Sequence, residues 1–139
     1  MNYPDKINKE HELIYGISGI GKTYFINANW TEEDRKARGI IWTARDTCVI
    51  SYWIEKKYTR VIVLGAPHLI WLQRVKERSM KDPSRRSVIA RYILENQLKE
   101  SYVKFIKQLD NNNIPYILVD NRNDYPILDK SSFLTMLTL

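Results

Sequence analysis

The chain has 139 residues, 44% of them hydrophobic and 27% charged, with a formal net charge of +6. That is one domain with a real core, since folding at this size buries roughly two thirds of the surface, and the composition excludes a disordered, collagen-like or disulfide-stapled chain. No run approaches the roughly 18 uncharged apolar residues of a membrane span, and the polar start "MNYPDKINKEHE" is no signal peptide, so the expected location is the cytoplasm.

In chain order, "ELIYG" (12–16) reads as a short apolar strand and "KTYFINAN" (22–29) continues at helical spacing. Between them Gly16, four further residues, then Gly21, Lys22 and Thr23 match G-x-x-x-x-G-K-[ST], with Gly19 inside the loop. Glycines let backbone N–H groups close around phosphate oxygens with no Cβ in the way, and the following helix start adds partial positive charge. Lys22 is then expected to reach the β- and γ-phosphates of a nucleoside triphosphate, and the Thr23 hydroxyl to ligate Mg²⁺. A plain glycine-rich turn between strand and helix is the bland alternative.

The cluster "TEEDRK" (31–36) reads as solvated charge around a helix start, with Glu32, Glu33 and Asp34 as alternative general bases. "GIIWTARD" (39–46) reads as strand and "TCVISYWIEKKY" (47–58) as a short helix. Asp46, at the C-terminal end of that strand, has two readings. It holds Mg²⁺ or takes the acceptor's proton, or it caps the helix, as Thr47 also could. Cys48, the single cysteine, reads as a small buried apolar residue in a reducing compartment. The two histidines, His11 and His68, lack metal-ligand spacing with any acid or thiol, which argues against zinc.

"TRVIVLGAP" (59–67) is a strongly β-branched strand and "HLIWLQRVKERS" (68–79) a helix. A long amphipathic helix is expected over 88–110, a strand over "IPYILVDN" (114–121), and a last segment that ends in a helix. Strand and helix alternate throughout, which predicts an α/β fold with a mainly parallel sheet covered on both sides. No repeat or linker divides residues 1–139, so a single domain is expected.

Charge is uneven. Between Arg74 and Arg91, seven cations stand against Glu77 and Asp82, a local balance of +5 out of +6. "SMKDPSRRS" interrupts the helical periodicity with Pro83 and reads as a basic lid whose arginines clamp a migrating phosphate; a solvated basic face and a nucleic-acid backbone contact are the alternatives.

"GISGIGKT", a strand ending in an acid, "RVIVLGAP", the Arg-x-x-x-Arg helix "RVKER", the lid "KDPSRR" and the strand "IPYILVDN" together resemble the small P-loop kinases of the nucleotide and shikimate/gluconate kinase type. The resemblance covers roughly residues 11 to 121 and implies a three-layer P-loop NTPase fold and an ATP-dependent kinase using Mg²⁺. It implies that Gly16, Ser18, Gly19, Ile20, Gly21, Lys22, Thr23 and Tyr24 hold the phosphates. Arg78, Arg85 and Arg86 would be lid arginines acting in catalysis with Lys22 and Asp46; Thr23 and Asp46 would hold the metal; Asn121 and Arg122 would lie near the adenine. Two features depart from the pattern. Only about ten residues separate the first helix from "GIIW", too few for a closed monophosphate pocket, and "IIWTARD" carries its acid late. An open acceptor side, with aromatics such as Tyr24, Trp30, Trp42 and Trp53, suits a large anionic acceptor. The resemblance extends to phage-type kinases that phosphorylate hydroxymethylated pyrimidines in DNA, a DNA modification, which would place the chain in a host's cytoplasm. A small-metabolite kinase and a P-loop ATPase or nucleotide-binding regulator stay open beside it.

Overall fold

Runs of β-branched and aliphatic residues form a five-stranded sheet, in a computed structural model that describes residues 11–17, 19–55, 58–81, 98–122 and 124–139. The strands are β1 His11–Tyr15, β2 Ile41–Thr43, β3 Tyr58–Gly65, β4 Tyr116–Asp120 and β5 Ile127–Leu128. Six helices accompany them among the described residues: α1 Lys22–Asn29, α2 Glu32–Arg38, α3 Asp46–Glu55, α4 His68–Lys81, α5 Leu98–Asn111 and α6 Lys130–Met136. The strand order is β2-β1-β3-β4-β5, parallel from β2 to β4, with β5 antiparallel on β4. The expected α/β class and mainly parallel sheet are present.

Consecutive residues of a strand point to opposite faces, and Leu13, Ile14 and Tyr15 on β1 and Val61, Ile62, Val63 and Leu64 on β3 are all buried. The central strands are therefore covered on both sides, as parallel sheets must be. On one face Tyr15 stacks on Phe105 of α5 at 3.9 Å and meets Tyr102 edge-on at 5.8 Å, while Tyr102 meets Phe133 of α6 at 5.6 Å. The apolar stripe of α5, Leu98, Tyr102, Phe105, Ile106 and Leu109, recurs at three- and four-residue steps and is buried. None of the described helices is long and apolar enough to cross a membrane.

Several boundaries differ from expectation for local reasons. The acidic cluster is a helix of its own: Thr31 caps α2 by accepting from the Asp34 N–H at 3.1 Å, and Glu32, Glu33 and Asp34 fill the first turn, where the helix dipole favours anions. Gly39, at φ 62°, ends α2 in the left-handed conformation, which delays and shortens β2 to three residues. The Thr43 hydroxyl accepts from the Arg45 N–H at 3.1 Å and turns the chain straight into α3. Asp46 is thus the first residue of that helix, three beyond the strand, and not the strand's end. The β4–β5 pairing, absent from the sequence reading, carries Asp120 N–H to the Pro126 carbonyl at 3.0 Å. Of the long helix expected over 88–110, residues 98–110 lie in α5, and 88–97 fall outside the described residues.

This order positions a site. The connection from β1 runs outward to β2, whereas the connection from β3 runs the other way, to β4. Connections that part in this manner open a crevice beyond the C-terminal ends of the two adjacent strands, here β1 and β3.

Candidate functional site

The glycine loop fills that crevice. It leaves β1 at Tyr15 and enters α1 at Lys22. Gly19 (φ 86°) and Gly21 (φ 92°) lie in the left-handed region, and a Cβ at Gly19 would stand 2.5 Å from Val75 Cγ2, one at Gly21 2.9 Å from Asn121 Nδ2. The loop backbone therefore rests directly on α4 and on the chain after β4. With glycine at the cap, α1 has no side-chain cap, and its first internal bond runs from the Phe25 N–H to the Gly21 carbonyl at 3.1 Å. The N–H groups of Lys22, Thr23 and Tyr24 thus have no acceptor within the helix, the arrangement that receives an anion at a helix start.

Two side chains brace the loop from the β4 side. Arg74 of α4 donates from Nη1 to the Ile20 carbonyl at 2.9 Å and from Nη2 to the Asn121 carbonyl at 3.2 Å. Asn121, only 3% exposed, donates from Nδ2 to the Ile20 carbonyl at 2.8 Å and to the Gly21 carbonyl at 3.0 Å. At the loop's entry the Ile17 N–H donates to the Tyr102 hydroxyl at 3.3 Å, and that hydroxyl donates to the Leu64 carbonyl, tying β1's exit to β3 through α5.

Lys22 folds back over the loop, donating from Nζ to the Gly16 carbonyl and to the Ile17 carbonyl at 3.2 Å. Burial, and after it the nearby positive charge of Arg78, lowers its pKa to about 8. An ammonium held in this way loses its proton within reach of ordinary pH unless an anion joins it.

Around the loop opens a cleft of about 850 Å³, within the range of small-molecule sites. Five cations line it, Lys22, Arg74, Arg78, Lys81 and Arg122, together with Glu77 and the aromatic rings of Tyr24, Trp42 and Tyr125. Arg122 is engaged by the Asp120 carboxylate at 2.8 Å, a hydrogen bond that raises its pKa. Glu77 accepts from Gln73 Nε2 at 3.3 Å.

Most of the expected residues come together here. Gly19, Gly21, Lys22, Thr23, Tyr24, Arg78, Asn121 and Arg122 all line the cleft. Ile20 serves the loop's shape: its side chain is fully buried, its N–H bonds the Ile17 carbonyl at 3.1 Å and its carbonyl is taken by Arg74 and Asn121. Gly16 serves it too, because a Cβ there would meet Ile20 Cγ2 at 2.5 Å. Asn121 spends its amide on the loop. Arg78 belongs to α4, which continues to Lys81, and not to a loop. Ser18, Arg85 and Arg86 lie outside the described residues, as does the side chain of Asp46, whose backbone opens α3. Glu32, Glu33 and Asp34 do not line the cleft. Arg74 and Lys81, which the sequence reading counts only among the basic cluster and its motifs, also line the cleft, as do Glu77 and Tyr125, which it gives no site role.

No protein-family model matches the chain, and no curated protein or solved structure matches it.

Proposed function

We propose that this chain is an ATP-dependent phosphotransferase with a P-loop NTPase fold, moving the γ-phosphoryl group to a hydroxyl or phosphate of a nucleotide or nucleic acid. One observation carries the reading: the loop from Gly16 to Thr23 turns on two left-handed glycines into an uncapped helix start, at the β1/β3 crevice, with a half-buried lysine across it.

The residues present fit a triphosphate. The loop is a cradle that a Cβ would fill at Gly16, Gly19 or Gly21, and among the described residues the cleft gathers five cations, of which Arg122 is paired with Asp120, against Glu77. Bound there with Mg²⁺, the triphosphate supplies the phosphoryl group: the acceptor oxygen bonds the γ-phosphorus, the bond to the bridging oxygen breaks, and ADP leaves with the electron pair. Lys22 and the N–H groups of Lys22, Thr23 and Tyr24 hold phosphate oxygens. Arg78, exposed on α4, stabilises charge on the migrating group. Thr23, exposed in the first turn of α1, offers its hydroxyl to Mg²⁺, and Glu77, which lines the cleft, would support the metal or take the acceptor's proton, the role the sequence also suggests for Asp46. Arg74 and Asn121 keep the loop in shape.

The test is transfer from γ-labelled ATP with Mg²⁺ to nucleosides, nucleoside monophosphates, plain DNA, hydroxymethylpyrimidine DNA, RNA and small sugars or acids. Label is expected in a nucleotide or nucleic-acid arm. Label in the sugar or acid arm would name a small-metabolite kinase, and label released only as phosphate, at one rate whatever is added, would name an ATPase.

A further inference from the structure

The four tryptophans divide sharply by surroundings. Trp71 is buried and Trp30 and Trp53 pack against the core, whereas Trp42 stands 45% exposed on β2 and lines the cleft. Tyr24, 81% exposed, lines the same cleft from α1. Large aromatic faces left to water at the mouth of a cleft mark a ligand surface, and every nucleobase has a face to stack on them.

The strand order says which ligand. β2 and Trp42 lie on one side of β1, while Arg74, Asn121, Arg122 and Tyr125 come from α4 and the chain after β4, on the side of β3. A triphosphate whose phosphates rest on the loop above β1 turns its own base to one side only. Tyr125, whose ring meets Phe25 edge-on at 5.2 Å, and Arg122, paired with Asp120, line the cleft on the β4 side; a base turned that way leaves Trp42 for a second ligand. That ligand is anionic, because Arg78 and Lys81, three apart on α4 and both exposed, face the same cleft.

We propose that Trp42, with Tyr24 at its edge, is the acceptor subsite: it stacks an unpaired nucleobase whose adjoining phosphate is held by Arg78 and Lys81. This rests on the kinase reading and names its substrate class. The chemistry is shared by a mononucleotide and by a base in a single strand.

The test uses the full chain and four probes: a mixed-sequence single-stranded DNA 10-mer, its duplex, a set of nucleoside monophosphates, and Mg-ATP. Anisotropy reads the labelled DNA and calorimetry the small ligands. Trp42→Ala is expected to weaken the single strand or a monophosphate by about tenfold or more, with Trp42→Phe restoring most of it and Mg-ATP affinity unchanged. Lys81→Ala is expected to weaken the same ligand and flatten its salt dependence. Whichever probe responds to Trp42 identifies the source. The subsite is overturned if neither single strand nor monophosphate binds a protein that binds Mg-ATP, or if both Trp42 variants bind as tightly as the parent. Base binding through Trp42 in a protein that binds no Mg-ATP would overturn the acceptor role and the kinase reading together.

Discussion

The two walls of the cleft are built on opposite plans. On the β4 side, Arg74 and Asn121 are half-buried and buried, and their donors end on the backbone carbonyls of Ile20, Gly21 and Asn121. On the β2 side, Trp42 presents an exposed ring, as Tyr24 does from α1, while Arg78, on α4 with Arg74, stands exposed near Lys22. Arg74 and Arg78 make the contrast plainest, being one helical turn apart on the same helix. One arginine holds the protein to itself; the other stands exposed on the cleft. Charge in a cleft therefore divides into charge that builds the site and charge that works in it, and only hydrogen-bond partners tell the two apart.

The largest effect expected comes from the residue between the walls. Lys22→Ala should lower phosphoryl transfer by about 100-fold or more, the scale of losing one preorganised charge-stabilising donor, while circular dichroism keeps the parent's shape and unfolding stays cooperative. Unchanged turnover would remove the glycine loop from the chemistry.

The contrast between walls is broken or kept by the two arginines. Arg74→Ala leaves the Ile20 and Asn121 carbonyls short of a charged donor and should cost about 1.5–3 kcal/mol in urea unfolding, because hydrogen bonds to charged groups are worth that much. Arg78→Ala should stay within about 0.5 kcal/mol, as an exposed substitution does, yet lower the transfer rate. Equal stability losses would erase the distinction. A finer test is the cycle combining Arg74→Ala with Asn121→Ala, where a coupling of about 0.5–3 kcal/mol is expected because both brace the Ile20 carbonyl. Additive losses would show two independent supports.

The smallest effect is one of pH. Lys22 has a folded pKa of about 8 against an ordinary 10.5, so between those values the unfolded chain holds more protons, and native stability rises with pH across that window. Compared with Lys22→Met, the parent's melting temperature should gain from pH 8 to 10. Triphosphate affinity should move the other way, falling above about pH 8 as the ammonium deprotonates, with proton uptake seen when ATP is titrated at pH 8.5 in buffers of different ionisation heat. A flat profile in both would mean that Lys22 titrates as a solvated lysine.

The sheet was legible because apolar runs separated by turn residues mark buried parallel strands, and the loop because its glycines, lysine and threonine are contiguous. β2 was read too long because Gly39 looked like a strand's beginning when it is the stop of a helix capped by Thr31. β5 was missed because two residues, Ile127 and Leu128, carry no periodicity. The brace was beyond reach for another reason. Nothing local in "VDNRND" says that Asn121 will turn its amide to carbonyls a hundred positions earlier. Aromatics are sorted by tertiary context alone: Trp30 packs edge-on against Phe25 at 5.7 Å, while Trp42, equally aromatic in sequence, stands 45% exposed on β2.

That remote brace also orders events in time. The Ile20 carbonyl is met by Asn121 across 101 positions and by Arg74 across 54, and the Ile17 N–H reaches Tyr102 across 85. Contacts of such separation close late, after the loop entropy between them has been overcome. A chain cut short of β4 therefore carries the whole glycine motif and still lacks the braces that give the loop its shape.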